Sequence, residues 1–239
     1  MGRGRTRKSW GFVEGDEIIP GRIALENLGG GWDFEVFLVW DDHLHSLVVA
    51  KVVRPNLVHD ERILRSLARE AGLLERLAHP VIVRGFGATL DGDRPHLLLE
   101  HLEGVALSAA IRSAGRLDLH QLVPLAYQLA SGLQYLANEQ VVHLDVKPDN
   151  VILGVPPRLV DLSIARTVED AARLRSPVGT DAFMAPEQVR PGDRARRNTR
   201  RRVGARRHAV PGGRGSASVP TGQGLRSRRS HPAVPAARG

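Results

Sequence analysis

The chain contains no cysteine, which excludes disulfide cross-links and thiolate metal sites. Lysine is almost as scarce, with only Lys8, Lys51 and Lys147. No apolar run reaches the roughly twenty residues that cross a bilayer as a helix, and no N-terminal apolar segment has the form of a secretory signal. A cytoplasmic protein without a membrane segment is the expectation. Acidic side chains are nearly missing from one end: residues 193–239 carry thirteen arginines against one acid. The net charge of +8 therefore belongs to that tail, and residues 1–192 sum to −4. The tail also has no Ile, Phe, Tyr, Trp or Met and a single Leu. It cannot bury enough apolar surface to offset the entropy of ordering, so disorder is expected there.

The rest of the 239 residues suffices for one large domain or two small ones. Residues 1–20 open on a basic cluster (Arg3, Arg5, Arg7, Lys8) without periodicity and read as a frayed extension. Residues 22–54 read as three strands with a glycine run between the first two. Gly29 and Gly31 of that run allow backbone amides to approach phosphates with no side chain intervening, although a plain glycine hairpin fits equally. LVVAKVV, 47–53, surrounds Lys51 with apolar residues. A lysine facing into a sheet is costly unless it meets an anion; the alternative is an edge lysine that snorkels to solvent. Residues 61–78 carry a helical stripe at 63, 67, 71, 74 and 78, with Glu70 at its edge. Residues 84–101 read as a hairpin turning at 91–95. Residues 118–139 read as a second helix, N-capped by Asp118 and apolar at 122, 125, 129, 133 and 136. Pro124 is tolerable only in its first turn. HLDVKPDN, 143–150, then places a carboxylate, a lysine and a carboxamide (Asp145, Lys147, Asn150) between strand-like flanks, as a short loop at a cleft would.

These stretches, in this order, resemble the motifs of protein kinases, and of bacterial serine/threonine kinases of the actinobacterial type in particular. The 143–150 loop is similar to H-R-D-x-K-x-x-N, LGGGWDFEV at 28–36 to the nucleotide loop, and LVVAKVV at 47–53 to the V-A-x-K strand. DLS at 161–163 is similar to D-F-G, and VGTDAFMAPEQ at 178–188 to the end of the activation segment. The resemblance implies an α+β, two-lobe fold with a small lobe over 21–101 and the first part of a helical lobe over 102–192. It also implies sites. Asp145 would accept the substrate hydroxyl proton, Lys147 would neutralise the moving phosphoryl group, and Thr180 would bond beside both. Leu28, Gly29, Gly31, Val36, Ala50, Lys51, Glu70, Glu100 and Leu102 would form the ATP site, with Lys51 on the phosphates, Glu70 steadying it and Leu99 at the back of the adenine pocket. Asn150 and Asp161 would bind Mg²⁺. The partners implied are ATP and protein substrates; the oligomeric state is left open.

Three positions depart from the pattern. Phe34 replaces the third loop glycine, Ser163 replaces the glycine after Asp161, and Leu144 replaces an arginine that grips a phosphate on the activation segment. Control by loop phosphorylation is accordingly not expected, though Thr167, Ser176 and Thr180 are available acceptors.

After Pro191 the family's next helix, opening D-V-W-x-x-G, does not follow. Residues 201–220, written in GC-rich codons and read one nucleotide later, can give DVWGLGATLYQAVAGRRPFP, and 232–238 can give RRYPQL. A frameshift between about residues 190 and 200 is the expectation, testable in the coding DNA. The rival is a basic tail for RNA, DNA or anionic lipid, which lacks aromatics for stacking and any RGG repeat. A shortened helical lobe would leave the 118–139 helix partly uncovered, with poor stability and very low activity. The reading is a serine/threonine protein kinase; the alternative is a nucleotide-binding pseudokinase or scaffold with a nucleic-acid-binding tail.

Overall fold

The structure, a computed structural model, describes residues 7–189. The expected disorder and frameshift beyond residue 190 lie outside the described residues. The three strands read from 22–54 are present as β2 (Arg22–Gly29), β3 (Phe34–Asp41) and β4 (Ser46–Val53). They follow a short β1 (Glu17–Ile19) and precede a hairpin of β5 (Gly85–Thr89) and β6 (His96–Glu100). The six form one antiparallel sheet in the order β1-β2-β3-β4-β6-β5.

Strand alternation splits this sheet into two faces. In β3 and β4, Phe37 pairs with Ala50 and Val39 with Val48, and these four join Ile18, Ala24, Val52 and Leu98 in one buried cluster. The intervening pairs, Val36 with Lys51 and Leu38 with Val49, face the other way. The first cluster is roofed by the N-terminal segment. Trp10 and Phe12 stack on each other and pack against it, with Phe12 meeting Phe37 edge-on at 5.9 Å. The frayed extension expected over residues 1–20 is thus corrected for residues 9–19. Scattered aromatics and side-chain ties to the sheet, rather than any periodic stripe, anchor them.

Helix α1 (Glu61–Arg76) covers the other face. Asp60 caps it, its Oδ1 accepting from the amides of Arg62 at 2.9 Å and Ile63 at 3.3 Å. Ile63, Leu67, Ala71 and Leu74 of the expected stripe are buried, but the helix ends before Ala78, which is exposed, and Leu77 packs inward instead. This core continues from the sheet through Val81, Ile82 and Val83 to Leu125, Leu136, Val151, Leu159 and Leu162.

After β6 the chain forms α2 (Leu107–Ala114) and α3 (Leu119–Asn138). Asp118 caps α3 in a reciprocal box with Gln121: its carboxylate accepts from the Gln121 amide at 2.9 Å. Pro124 is the sixth helical residue, not in the first turn as expected; it lies on the exposed side, where the His120 carbonyl it leaves without an intrahelical partner can meet water. Of the apolar stripe, Leu125 and Leu136 are buried while Leu122 stays 44 % and Leu133 36 % exposed, alongside Val123 and Tyr127. Among the described residues no helix is long and apolar enough to cross a membrane.

Short strands then fold the polar loop. β7 (Val141–Val142) pairs antiparallel with β10 (Arg166–Thr167), and β8 (Val151–Ile152) with β9 (Arg158–Leu159). Helices α4 (Val168–Ala172) and α5 (Pro186–Val189) complete the described part.

Candidate active site

A cleft of about 840 Å³ lies between the inner sheet face, α1 and the segment around Asp161. One wall is apolar (Leu28, Val36, Val49, Leu99, Leu102, Ile152) and the other is charged. β4 carries Lys51 into it. The ammonium donates to Glu70 Oε2 at 2.8 Å, to Glu70 Oε1 at 3.0 Å and to Asp161 Oδ1 at 3.0 Å. Glu70, on α1, is 1 % exposed. Burial alone would pull the Lys51 pKa down; the two carboxylates outweigh it and hold the lysine protonated. Burial likewise pushes Asp161 up, but Lys51 holds its carboxyl at about 2. Phe34, at the position of the missing third glycine, packs its ring 4.9 Å from the ammonium, a cation–π contact that a glycine would not make.

A second polar group forms around Asp145, which is 9 % exposed. Its Oδ1 accepts from the Thr180 hydroxyl at 2.6 Å, and its Oδ2 lies 2.7 Å from Lys147 Nζ and 3.1 Å from Asn150 Nδ2. Lys147 also donates to Thr180 Oγ1 at 2.9 Å, closing a triangle of carboxylate, ammonium and hydroxyl. Burial raises the Asp145 carboxyl, but Lys147 and the Thr180 hydroxyl outweigh it and leave the group below its ordinary value. The loop is tied down through His143, 2 % exposed, whose Nδ1 accepts from the Asp145 amide at 3.3 Å and whose Nε2 faces the Val160 carbonyl at 3.2 Å.

The two groups meet through the β8–β9 hairpin. The Val160 amide donates to the Asn150 carbonyl at 2.9 Å, which sets Asn150 and Asp161 at the same end of the hairpin. Asn150 uses its amide nitrogen on Asp145, at the backbone oxygen as well as the carboxylate, so its side-chain oxygen is not spent on those bonds. A carboxylate and a carboxamide oxygen suit a hard divalent cation such as Mg²⁺, which takes one or two protein ligands beside substrate phosphates. Among the described residues no group of three or more His, Cys, Asp or Glu could hold a metal alone. Two non-glycine residues of this region adopt the left-handed backbone: Leu144 with φ 69° and Asp161 with φ 63°. Each costs of order 1 kcal/mol or more and persists because the surrounding bonds over-determine it.

Most of the expected site residues come together here. Leu28, Gly31, Val36, Lys51, Glu70, Glu100, Leu102 and Asp161 line the cleft; Asp145, Lys147, Asn150 and Thr180 form the adjoining cluster. Two do not take their expected places. Ala50 is fully buried in the opposite cluster with Phe37 and Val48, because one step along a strand reverses the face, and Val49 takes the cleft position. Gly29 does not line the cleft: its amide donates to Asn27 Oδ1 at 2.7 Å, so it is not free for a phosphate. Gly30 lines it instead, with φ +127° and no room for a Cβ, which would fall 2.4 Å from the Phe34 carbonyl oxygen. Of the three hydroxyls named as acceptors, Thr180 is engaged as above and Thr167 caps α4 through the Asp170 amide at 3.1 Å, while Ser176 is exposed.

Sequence reasoning did not single out Gln188. Its amide nitrogen donates to the Leu144 carbonyl at 2.7 Å and the Val178 carbonyl at 3.0 Å, and its oxygen accepts from the Ala185 amide at 3.1 Å. It bridges the 178–188 segment to the Asp145 loop. A second hollow, about 880 Å³, lies on the outer side near β1 and β5. Its arginines are already committed, Arg22 to Asp41 at 2.9 Å and Arg94 to the Glu17 carbonyl at 3.1 Å, so it presents no comparable cluster.

Comparison with known proteins agrees with this geometry. Residues 23–200 match the family described as protein kinase domain. Serine/threonine-protein kinase pkn2 of Myxococcus xanthus is 34 % identical over 183 residues, 72 % of this chain and 22 % of that protein. Serine/threonine-protein kinase PknB of Mycobacterium tuberculosis is 29 % identical over 175 residues, covering 69 % of this chain and 28 % of that one. PrkC of Bacillus subtilis is 28 % identical over 179 residues, 73 % of this chain and 28 % of that one. The chain thus spans less than a third of the length of these curated relatives. A solved kinase domain superposes with a TM-score of 0.66 at 19 % identity, over 75 % of this chain and 61 % of that structure, which gives the fold. The chain belongs to the protein kinase domain family, and the bacterial serine/threonine kinases are the relatives it most resembles among these.

Proposed function

We propose that this chain carries the phosphoryl-transfer site of a serine/threonine protein kinase, moving the γ-phosphoryl group of ATP to a protein hydroxyl. The observation that carries the proposal is the pairing of two clusters across one hairpin: Lys51–Glu70–Asp161 at the cleft and Asp145–Lys147–Thr180–Asn150 beside it. The apolar wall accepts a flat base, with Glu100 and Leu102 at its rim and Leu99 behind. Lys51 neutralises phosphate charge, and Glu70 keeps its ammonium aimed into the cleft. Asp145 orients the incoming hydroxyl and takes its proton as the new oxygen–phosphorus bond forms and the bond from the γ-phosphorus to the departing ADP oxygen breaks. Its depressed pKa makes it a weak base, so its contribution lies mainly in position and charge. Lys147 balances charge on the transferring group. Asn150 and Asp161 are the residues that would hold Mg²⁺, which when bound neutralises phosphate oxygens. A reaction that consumes ATP is consistent with a cytoplasmic site.

The specificity for serine and threonine rests on Thr180, whose hydroxyl bonds both Asp145 and Lys147 and narrows the approach to the carboxylate. The test is transfer of radiolabelled γ-phosphate from Mg·ATP to serine, threonine and tyrosine versions of one peptide, beside a thermal-shift titration with the same nucleotide. Label on serine and threonine alone, with Mg·ATP raising the melting temperature, is expected. Binding without label on any peptide would refute the transfer role.

A further inference from the structure

Beyond the two clusters, the N-terminal segment is tied to the glycine loop by an unusual set of bonds. Arg54, 3 % exposed at the end of β4, donates through Nε to the Gly31 carbonyl at 2.9 Å and through Nη1 to the Lys8 carbonyl at 2.7 Å. Its charge is met by Glu35, 2 % exposed, at 3.3 Å. Glu35 in turn accepts from the Ser9 hydroxyl at 2.6 Å and the Trp10 amide at 2.9 Å. The Trp10 indole donates to the Val53 carbonyl at 2.8 Å, and Arg7 donates to the Gly30 carbonyl at 2.8 Å. Two successive loop carbonyls, those of Gly30 and Gly31, are therefore each held by an arginine. Neither arginine lines the cleft, whereas Gly30, Gly31 and Trp32 all do.

In a trans peptide the carbonyl of one residue and the amide of the next point in opposite directions. Drawing the Gly30 and Gly31 carbonyls toward Arg7 and Arg54 turns the amides of Gly31 and Trp32 the other way, toward the cleft. We propose that residues 7–10 form a strap that, with the buried Glu35–Arg54 pair, sets these two amides to receive a nucleotide's phosphates. Arg7, Ser9, Glu35 and Arg54 are positioning residues on this reading, which rests on the nucleotide-binding role proposed above. A glycine loop is otherwise free to rotate its peptide planes, and Gly29 and Gly30 already sit at positive φ. The strap removes that freedom before any ligand arrives.

Arg54 and Glu35 are buried partners, and replacing either alone risks the fold. The test therefore uses the exposed end of the strap in the full chain: Arg7→Ala with Ser9→Ala, and Ser9→Thr as the conservative control. Two quantities are measured: amide hydrogen exchange over residues 28–34 without nucleotide, and dissociation constants for Mg·ATP and for adenosine. The double variant is expected to exchange faster over 28–34 and to bind Mg·ATP about three- to tenfold more weakly, the scale of one or two lost hydrogen bonds. Adenosine, which has no phosphates, is expected to bind unchanged, and Ser9→Thr to behave like the parent. Equal weakening of ATP and adenosine, or parental values for exchange and both ligands, would overturn the proposal. If the parent itself binds no nucleotide, the functional reading fails on its own. Exchange over 28–34 then decides the strap: acceleration supports it, and parental rates dismiss it.

Discussion

Replacing Lys51 by methionine is expected to abolish phosphoryl transfer and to destabilise the chain by about 3–5 kcal/mol. The size follows from what is left behind. Glu70 is 1 % exposed and would keep a buried charge whose cation has gone, facing Asp161 across the same cleft. Chemical denaturation of parent and variant reads the loss directly. Stability and function can then be separated with a second change. Lys51→Met with Glu70→Leu removes both charges and fills their volume, and such replacements of buried pairs are close to neutral. The double variant is expected to recover most of the lost stability yet bind Mg·ATP no better than Lys51→Met alone. Recovery of both would make Lys51 a structural cation only.

The second large effect is expected from Asp145→Asn, which keeps the size of the side chain and removes its charge. Transfer to a peptide hydroxyl is expected to fall about 10³-fold, within the usual range for a lost general base. Mg·ATP affinity is expected to stay within about twofold, because Asp145 belongs to the cluster beside the cleft and not to its lining. A single-turnover assay with a saturating nucleotide separates the two quantities. The Thr180 hydroxyl would still have an oxygen to meet at Oδ1, while the nitrogen replacing Oδ2 would face the Lys147 ammonium and the Asn150 amide, so those two contacts are expected to be lost.

Much of this site was legible because the chemistry restricts the residue types. A lysine inside an apolar strand demands a carboxylate, and Glu70 on the inner edge of α1 supplies it. Asp145, Lys147 and Asn150 stand at the expected loop, and Thr180 reaches them from 35 residues away in sequence. The strands of 22–54, the hairpin and both long helices follow from periodicity and caps.

What escaped the sequence has physical causes. Ala50 was placed at the cleft by motif spelling, whereas alternation along β4 puts Val49 there. In a run of three glycines nothing marks which one is pressed against backbone, and only the 2.4 Å approach at Gly30 shows it. Residues 9–19 carry no periodic signal because their attachment is made through Ser9 and the Trp10 amide, which share the Glu35 carboxylate, and through the Trp10 indole, which bonds the Val53 carbonyl. Gln188 bonds only backbone carbonyls and an amide of two segments, contacts that no local pattern announces. On α3, by contrast, Leu122 and Leu133 remain exposed among the described residues, in line with the expectation of a partly uncovered helix.

The scarcity of lysine makes the central claim directly measurable. An acyl-phosphate derivative of ATP transfers its acyl group to an amine lying beside the bound phosphates, and this chain offers Lys8, Lys51 and Lys147. Peptide mapping of the labelled full chain is expected to find the acyl group on Lys51 and Lys147 and not on Lys8, with excess Mg·ATP suppressing both. Label on Lys8 alone, or label at Lys51 and Lys147 that Mg·ATP does not reduce, would contradict a phosphate site between these two lysines.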